Sequence, residues 1–123
     1  MSEPRFLDDL SEADFALEIK MIRERLQAQI AEVEASVESA ESTRASAQLD
    51  PSRVGRLSRV DALQMVAMER ALEERRRAEG LRAQRALELI EEGSYGECVL
   101  CYESIALKRI RLDPSLLTCV GCA

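Results

Sequence analysis

The sequence predicts a mainly α-helical protein: a long antiparallel helical hairpin, or coiled coil, followed by a small C-terminal module built on four cysteines. Two observations predict this fold. Two long segments with hardly any Gly or Pro carry apolar residues at helical spacing, and a polar loop separates them. All 4 cysteines of the 123-residue chain lie near its C-terminal end, as two C-x-x-C pairs.

The composition narrows the class of protein. Charged residues make up 33% of the chain and aromatic residues 3%, which is typical of long exposed helices and not of a thick core. The formal charge of −6 argues against general nucleic-acid binding, because proteins that neutralise phosphates are basic. No apolar run reaches the length of a membrane span, and the N-terminus does not resemble a signal segment. We therefore expect a cytoplasmic protein with no membrane partner, in which thiols stay reduced.

The first long helix follows a short leader. Ser11 is its predicted N-cap, and Asp14 stands in the position of the capping-box acid. No Gly or Pro interrupts the chain from there to about Ser42, and about 30 residues would form a rod of roughly 45 Å. The predicted stripe recurs at spacings of three and four residues: Ile19, Ile22, Leu26, Ile30 (or Gln29), Val33, Val37 and Ala40.

A loop at about 43–57 should form the tip of the hairpin. Small polar residues together with Pro51 and Gly55 break the helical pattern there. A second helix is predicted from the N-cap Ser58 to about Glu92.

The stripe of this second helix is weaker. Gly80 interrupts it at a cost of up to about 1 kcal/mol relative to Ala. The predicted members are Val60, Leu63, Ala67, Ala71 or Leu72, Leu81, Leu87 and Ile90.

Two long helices joined by one loop predict an antiparallel hairpin. Residues 1–92 would then comprise the leader and the hairpin, and residues 93–123 a separate module. A three- or four-helix bundle, formed by breaking these helices or by dimerisation, is the alternative, since helices of this kind depend on packing an apolar face.

The cysteine spacing predicts a metal site. Cys98 and Cys101 would form one knuckle, and Cys119 and Cys122 the other, which together supply the four thiolates of a tetrahedral zinc shell. Two disulfides or four free thiols are the alternative, which reduced cytosolic conditions disfavour. A shell of four thiolates is closed, and the chain has no His, so we expect one structural Zn²⁺ and no enzymatic activity.

The metal would also stabilise a segment that has few apolar residues. Zinc can contribute roughly 10–16 kcal/mol of apparent binding free energy to such a module. Between the knuckles, residues 105–112 are expected to form a short hairpin or strand.

The C-terminal stretch resembles the zinc finger of the DksA/TraR family. The helical hairpin that precedes it also matches the layout of that family, so the resemblance covers most of the chain. The residues that match the finger pattern are Gly93, Tyr95, Gly96, Cys98, Cys101, Ile105, Arg109, Ile110, Pro114, Cys119 and Cys122.

The resemblance implies a mode of action. Members of this family bind RNA polymerase, not DNA, by inserting the hairpin into the secondary channel so that its tip acts near the catalytic centre. It therefore implies a transcription regulator that binds RNA polymerase. The alternative is a zinc-stapled coiled-coil adaptor that binds another protein.

Three departures from the family pattern bear on function. Tyr102 replaces the usual Gly after the second cysteine, which is tolerable if its φ is negative. The tip lacks the D-x-x-D-x-A signature, and the partner-binding candidates there are Arg53, Arg56, Arg59 and Asp61, although Asp61 can equally be a helix cap. Longer members carry a further C-terminal helix that contributes to ppGpp binding, so a response to ppGpp is doubtful here.

Overall fold

The computed structural model describes residues 4–49 and 59–123. A 3₁₀ helix, Leu7–Asp9, precedes three α-helices: α1 (Glu12–Leu49), α2 (Arg59–Glu92) and α3 (Leu107–Leu112). The described residues form no β-strand, although an isolated antiparallel bridge joins Glu97 and Ser104. No helix among them is long and apolar enough to cross a membrane. The predicted mainly α-helical fold, with two long helices packed together, is confirmed.

Helix α1 begins as predicted and ends later. The Asp14 N–H donates a hydrogen bond of 3.2 Å to Ser11 Oγ, which makes Ser11 the N-cap. The predicted end near Ser42 is wrong, because the helix continues to Leu49. Residues 43–49 contain no Gly or Pro, and the first strong break is Pro51, which disfavours helix at the residue before it. The rest of the predicted tip loop, and the predicted N-cap Ser58, lie outside the described residues.

The predicted stripe of α1 is confirmed. Ile22 and Leu26 are 2% and 0% exposed, and the other predicted members are half-buried. The apolar spacing therefore identified the buried face of this helix.

The predicted stripe of α2 is wrong over most of its length. Val60, Leu63 and Leu81 are 62%, 70% and 66% exposed, and Ala67, Ala71 and Leu72 are exposed as well. The predicted Leu87 and Ile90 are half-buried and pack against the core. The fully buried positions are instead mostly small ones: Gly80, Ala83, Ala86 and Leu89.

Close approach of the two helices explains the difference. A Cβ added to Gly80 would lie 3.2 Å from Val33 Cγ1, which is tighter than most contacts of a real Cβ. Two helices that approach so closely need small residues at the contact. The predicted stripe of α2 consists mainly of large apolar residues, so it missed this face.

Helix α2 ends in a Schellman motif. Gly93 has a φ of +80°, its N–H donates to the Ile90 carbonyl (3.2 Å), and the Ser94 N–H donates to the Leu89 carbonyl (2.9 Å). Gly93 therefore stops the helix after Glu92, which is the end that the sequence predicted.

The chain forms two compact units. The first comprises Met1–Ile30 and Leu81–Ala123, and the second Ala31–Gly80. The boundary at residues 92 and 93 that the sequence suggested stays a prediction.

The first unit contains the main core. Leader, long helices and C-terminal segment all contribute, and the Leu107 N–H donates a 2.7 Å hydrogen bond to the Arg5 carbonyl. The buried members are Leu7, Ile22, Leu26, Ala83, Ala86, Ile105, Leu107 and Ile110.

The expectation of a hairpin or strand over residues 105–112 is wrong, because Leu107–Leu112 is helical. The Leu-Lys-Arg-Ile-Arg-Leu sequence consists mostly of good helix formers. Leu107 and Ile110, three residues apart, are both buried and give this short helix one inward face.

Candidate metal centre

The first knuckle is a tight backbone turn. The Tyr102 N–H donates to the Cys98 carbonyl (2.9 Å), and the Cys98 N–H donates to the Glu103 carbonyl (2.8 Å). Gly96 precedes the turn with a φ of +92°, a conformation that favours glycine. These bonds place the thiols of Cys98 and Cys101 on the same side of the turn, where one ion can reach both.

The second knuckle repeats this arrangement at the C-terminus. The N–H groups of Cys122 and Ala123 both donate to the Cys119 carbonyl, at 3.1 and 3.0 Å. The two knuckles are joined by the Val99 N–H, which donates to the Leu117 carbonyl at 2.9 Å. Backbone hydrogen bonding therefore helps to bring the two cysteine pairs together.

The four thiols converge as predicted. The sulfur atoms of Cys98, Cys101, Cys119 and Cys122 all lie within 4.8 Å of one another, and those of Cys101 and Cys119 are 3.5 Å apart. A tetrahedral zinc site with Zn–S bonds near 2.3 Å would have sulfur–sulfur distances of about 3.8 Å. The cluster could therefore hold a metal ion, and four sulfur ligands select a soft metal such as zinc.

The electrostatics of the cluster also suit a cation. Hydrogen bonds from backbone N–H groups, chiefly that of Cys101, lower the pKa of the Cys98 thiol to about 6. Hydrogen bonding to the thiol of Cys119, and then to those of Cys101 and Cys98, raises the pKa of Cys122 to about 12. Four crowded sulfurs cannot all be ionised unless a positive charge lies between them, and a divalent metal supplies that charge.

The expectation that Tyr102 has a negative φ is wrong. Its φ is +64°, in the left-handed region that favours glycine, and its side chain is 77% exposed. The turn after Cys101 imposes this conformation, so the departure from the family pattern carries a cost in backbone strain.

A network of polar contacts holds the segment before the second knuckle. The Tyr95 hydroxyl donates to the Pro114 carbonyl at 2.7 Å, and burial raises the pKa of Tyr95 well above its usual value. Asp113 Oδ1 accepts from both the N–H and the hydroxyl of the buried Ser115, at 3.1 and 2.6 Å. These bonds satisfy the polar groups that the closing turn buries.

Three polar residues of α1 bind the same segment, and the sequence analysis named only Gln29 among them, as an alternative member of the apolar stripe. Arg25 donates to the Arg111 carbonyl at 2.7 Å, and Arg111 in turn pairs with Glu18 at 2.9 Å. Gln29 donates to Ser115 Oγ at 3.5 Å. Their spacing along one edge of the apolar stripe is a signal in the sequence for a polar row on α1, but it does not indicate which residues that row contacts.

The predicted tip residues are only partly described. Arg59 and Asp61 lie exposed in the first turn of α2, whereas Arg53 and Arg56 lie outside the described residues. Their role in binding a partner stays a prediction.

Comparison with known proteins bears on the fold. The chain is similar to the solved structure of transcription factor DksA2 from Pseudomonas aeruginosa, with a TM-score of 0.65 and 23% sequence identity. The match covers 84% of this chain and 78% of that one. No family model matches the sequence, and no curated protein does. The DksA-like fold predicted from the sequence is therefore confirmed by structural similarity.

Proposed function

We propose that this protein is a transcription regulator that binds RNA polymerase through its secondary channel and does not bind DNA. The observation that carries the proposal is the fold shared with a transcription factor over 84% of the chain. The formal charge of −6 is consistent with a protein partner in place of nucleic acid.

The four cysteines would hold one Zn²⁺ as a structural ion. Four thiolates fill a tetrahedral shell and leave no position open for a substrate, so the role is to stabilise the C-terminal module and not to catalyse a reaction. The ion would hold the two knuckles together within the first unit. The protein would act in the cytoplasm, and a response to ppGpp is not part of the proposal.

The tip of the hairpin would act near the catalytic centre of the polymerase. A basic tip is attracted to an acidic, magnesium-bearing centre, and Arg53, Arg56 and Arg59 supply that charge. Asp61, in the first turn of α2, would contact the polymerase or stabilise the positive end of the helix dipole.

Transcription in vitro with purified polymerase tests the proposal. We expect the wild-type protein to bind polymerase and change transcript yield, and to give no shift of promoter DNA in the absence of polymerase. A double variant, Arg56→Ala with Arg59→Ala, should still bind but lose its effect on yield.

The variant Asp61→Asn tests the role of the Asp61 charge, because Asn has the same shape and can still cap the helix but carries no charge. It should bind polymerase as the wild type does. Failure of the wild-type protein to bind polymerase would overturn the proposal, and specific binding to another purified protein would favour the adaptor instead.

A further inference from the structure

The second unit exposes an apolar ridge on α2. Met65, Met68 and Leu72 are 49%, 67% and 47% exposed. Their spacing of three and four residues places them on one face of the helix. Large apolar side chains aligned in this way usually mark an interaction surface.

A groove runs along the same face. Its volume is about 430 Å³, and its α1 wall consists of the small residues Ser36, Ser39 and Ala40. The α2 wall includes Glu69, Leu72 and Arg76, so Leu72 belongs to both the ridge and the groove. The apolar ridge and the groove therefore lie side by side on the second unit.

Opposite charges flank the centre of this surface. Glu69 precedes Leu72 by three residues and Arg76 follows it by four, which separates the two charged residues by about 10.5 Å along the helix. Residues seven apart on this helix can pair, as Arg85 and Glu92 do at 3.4 Å, but no ion pair joins Glu69 to Arg76 in the described residues. Within the described part of the chain, neither side chain forms an ion pair.

We propose that this face binds a second copy of the chain. A two-fold interface requires one patch to be complementary to itself. With the axis near Leu72 and the two α2 helices antiparallel, the ridge of each copy would enter the groove of the other. The same rotation sets Glu69 of each copy opposite Arg76 of its mate, and so forms two equivalent ion pairs. The product is a four-helix dimer, which must dissociate before the hairpin can enter a polymerase channel. The inference rests on the surface of the second unit and not on the proposed function.

Sedimentation equilibrium over a range of protein concentrations tests the proposal. The wild-type protein should dimerise reversibly, and Met68→Glu should abolish the dimer because it places a charge in the apolar contact. Glu69→Arg and Arg76→Glu should each weaken the dimer about tenfold, or about 1.4 kcal/mol, because each converts both ion pairs into like-charge contacts.

The two charge reversals also provide a test of the symmetry. An equimolar mixture of the two single variants should form a mixed dimer of near wild-type affinity, since each Arg then meets a Glu. The double variant, Glu69→Arg with Arg76→Glu, should recover self-association for the same reason.

Leu63→Glu is the matched control. Leu63 is 70% exposed and lies nine residues from Leu72, about two and a half turns, so it points away from the proposed interface. The Leu63→Glu variant should dimerise with the same affinity as the wild type. Circular dichroism should show that every variant keeps its helix content. A wild-type protein that is monomeric at all concentrations, or charge reversals whose mixture does not recover, would overturn the proposal.

Discussion

At the scale of single residues, Tyr102 shows how a metal-binding turn can impose a costly backbone conformation. A left-handed φ costs an L-residue roughly 1–2 kcal/mol, and the exposed ring offers little packing in return. The two cysteines before it require the turn, so the strain remains wherever a residue with a Cβ stands at this position.

Replacing Tyr102 with Gly should therefore stabilise the C-terminal module by about 1 kcal/mol, because the relief of strain exceeds the added flexibility of glycine. Denaturant unfolding of the metal-loaded protein measures the change. Tyr102→Ala is the control, since it removes the ring but keeps a Cβ and should give no comparable gain. Equal gains for Gly and Ala would show that the ring, and not the backbone, is unfavourable.

A substitution at Leu26 tests the packing of the core. Leu26 is fully buried in the first unit, so Leu26→Asp would place a carboxylate among apolar side chains and should cost at least about 3 kcal/mol of unfolding free energy. Leu17→Asp, on an exposed position of the same helix, should change the stability by about 0.5 kcal/mol or less. Similar melting temperatures for the two variants would contradict the packing described here.

At the scale of elements, the leader is part of the core and not an appendage. Leu7 is buried, and its Cδ1 would lie only 2.9 Å from a Cβ added to Gly96, beside Ile110. The leader thus packs directly against the backbone that enters the first knuckle.

Leu7→Ala should accordingly destabilise the first unit by about 2–4 kcal/mol through lost burial and a cavity beside Gly96. Leu112→Ala, at an exposed position of α3, is the control and should be nearly neutral. Thermal unfolding followed by circular dichroism would compare the two, and equal losses would show that the leader does not stabilise the core.

The two long helices also show what a hydropathy pattern can predict. The buried face of α1 could be predicted because it consists of large apolar residues such as Ile22 and Leu26. The buried side of α2 could not be read in this way, because Gly80, Ala83 and Ala86 are selected for their small size against a close neighbour. Several large residues of α2 in the second unit, including Leu63 and Met68, are instead exposed.

At the scale of the whole molecule, the sequence predicts one part of the metal centre and its surroundings but not the other. The two C-x-x-C pairs predicted which sulfurs converge, because each pair is a local turn with a fixed spacing. The contacts of Glu18 and Arg25 with Arg111 join residues 86 to 93 positions apart in the chain. Only the folded chain brings such residues together, so no local pattern could identify them as partners.

Removal of the metal should affect the two units differently. The knuckles share backbone hydrogen bonds and core contacts with the leader and α3, all within the first unit, whereas the contact of Val33 with Gly80 lies in the second. If zinc contributes roughly 10–16 kcal/mol, chelation should loosen residues 96–123 and 5–10 while residues 31–41 keep their helical protection.

Hydrogen exchange of zinc-loaded and chelated protein, read by mass spectrometry, measures this difference segment by segment. Elemental analysis should first give one zinc per chain, and Cys119→Ser should reproduce the exchange pattern of the chelated protein without any chelator. The local hairpin contacts would keep most of the helical signal in the far-ultraviolet spectrum. Exchange that rises equally in both units on chelation would show instead that the metal stabilises the whole chain as one cooperative body.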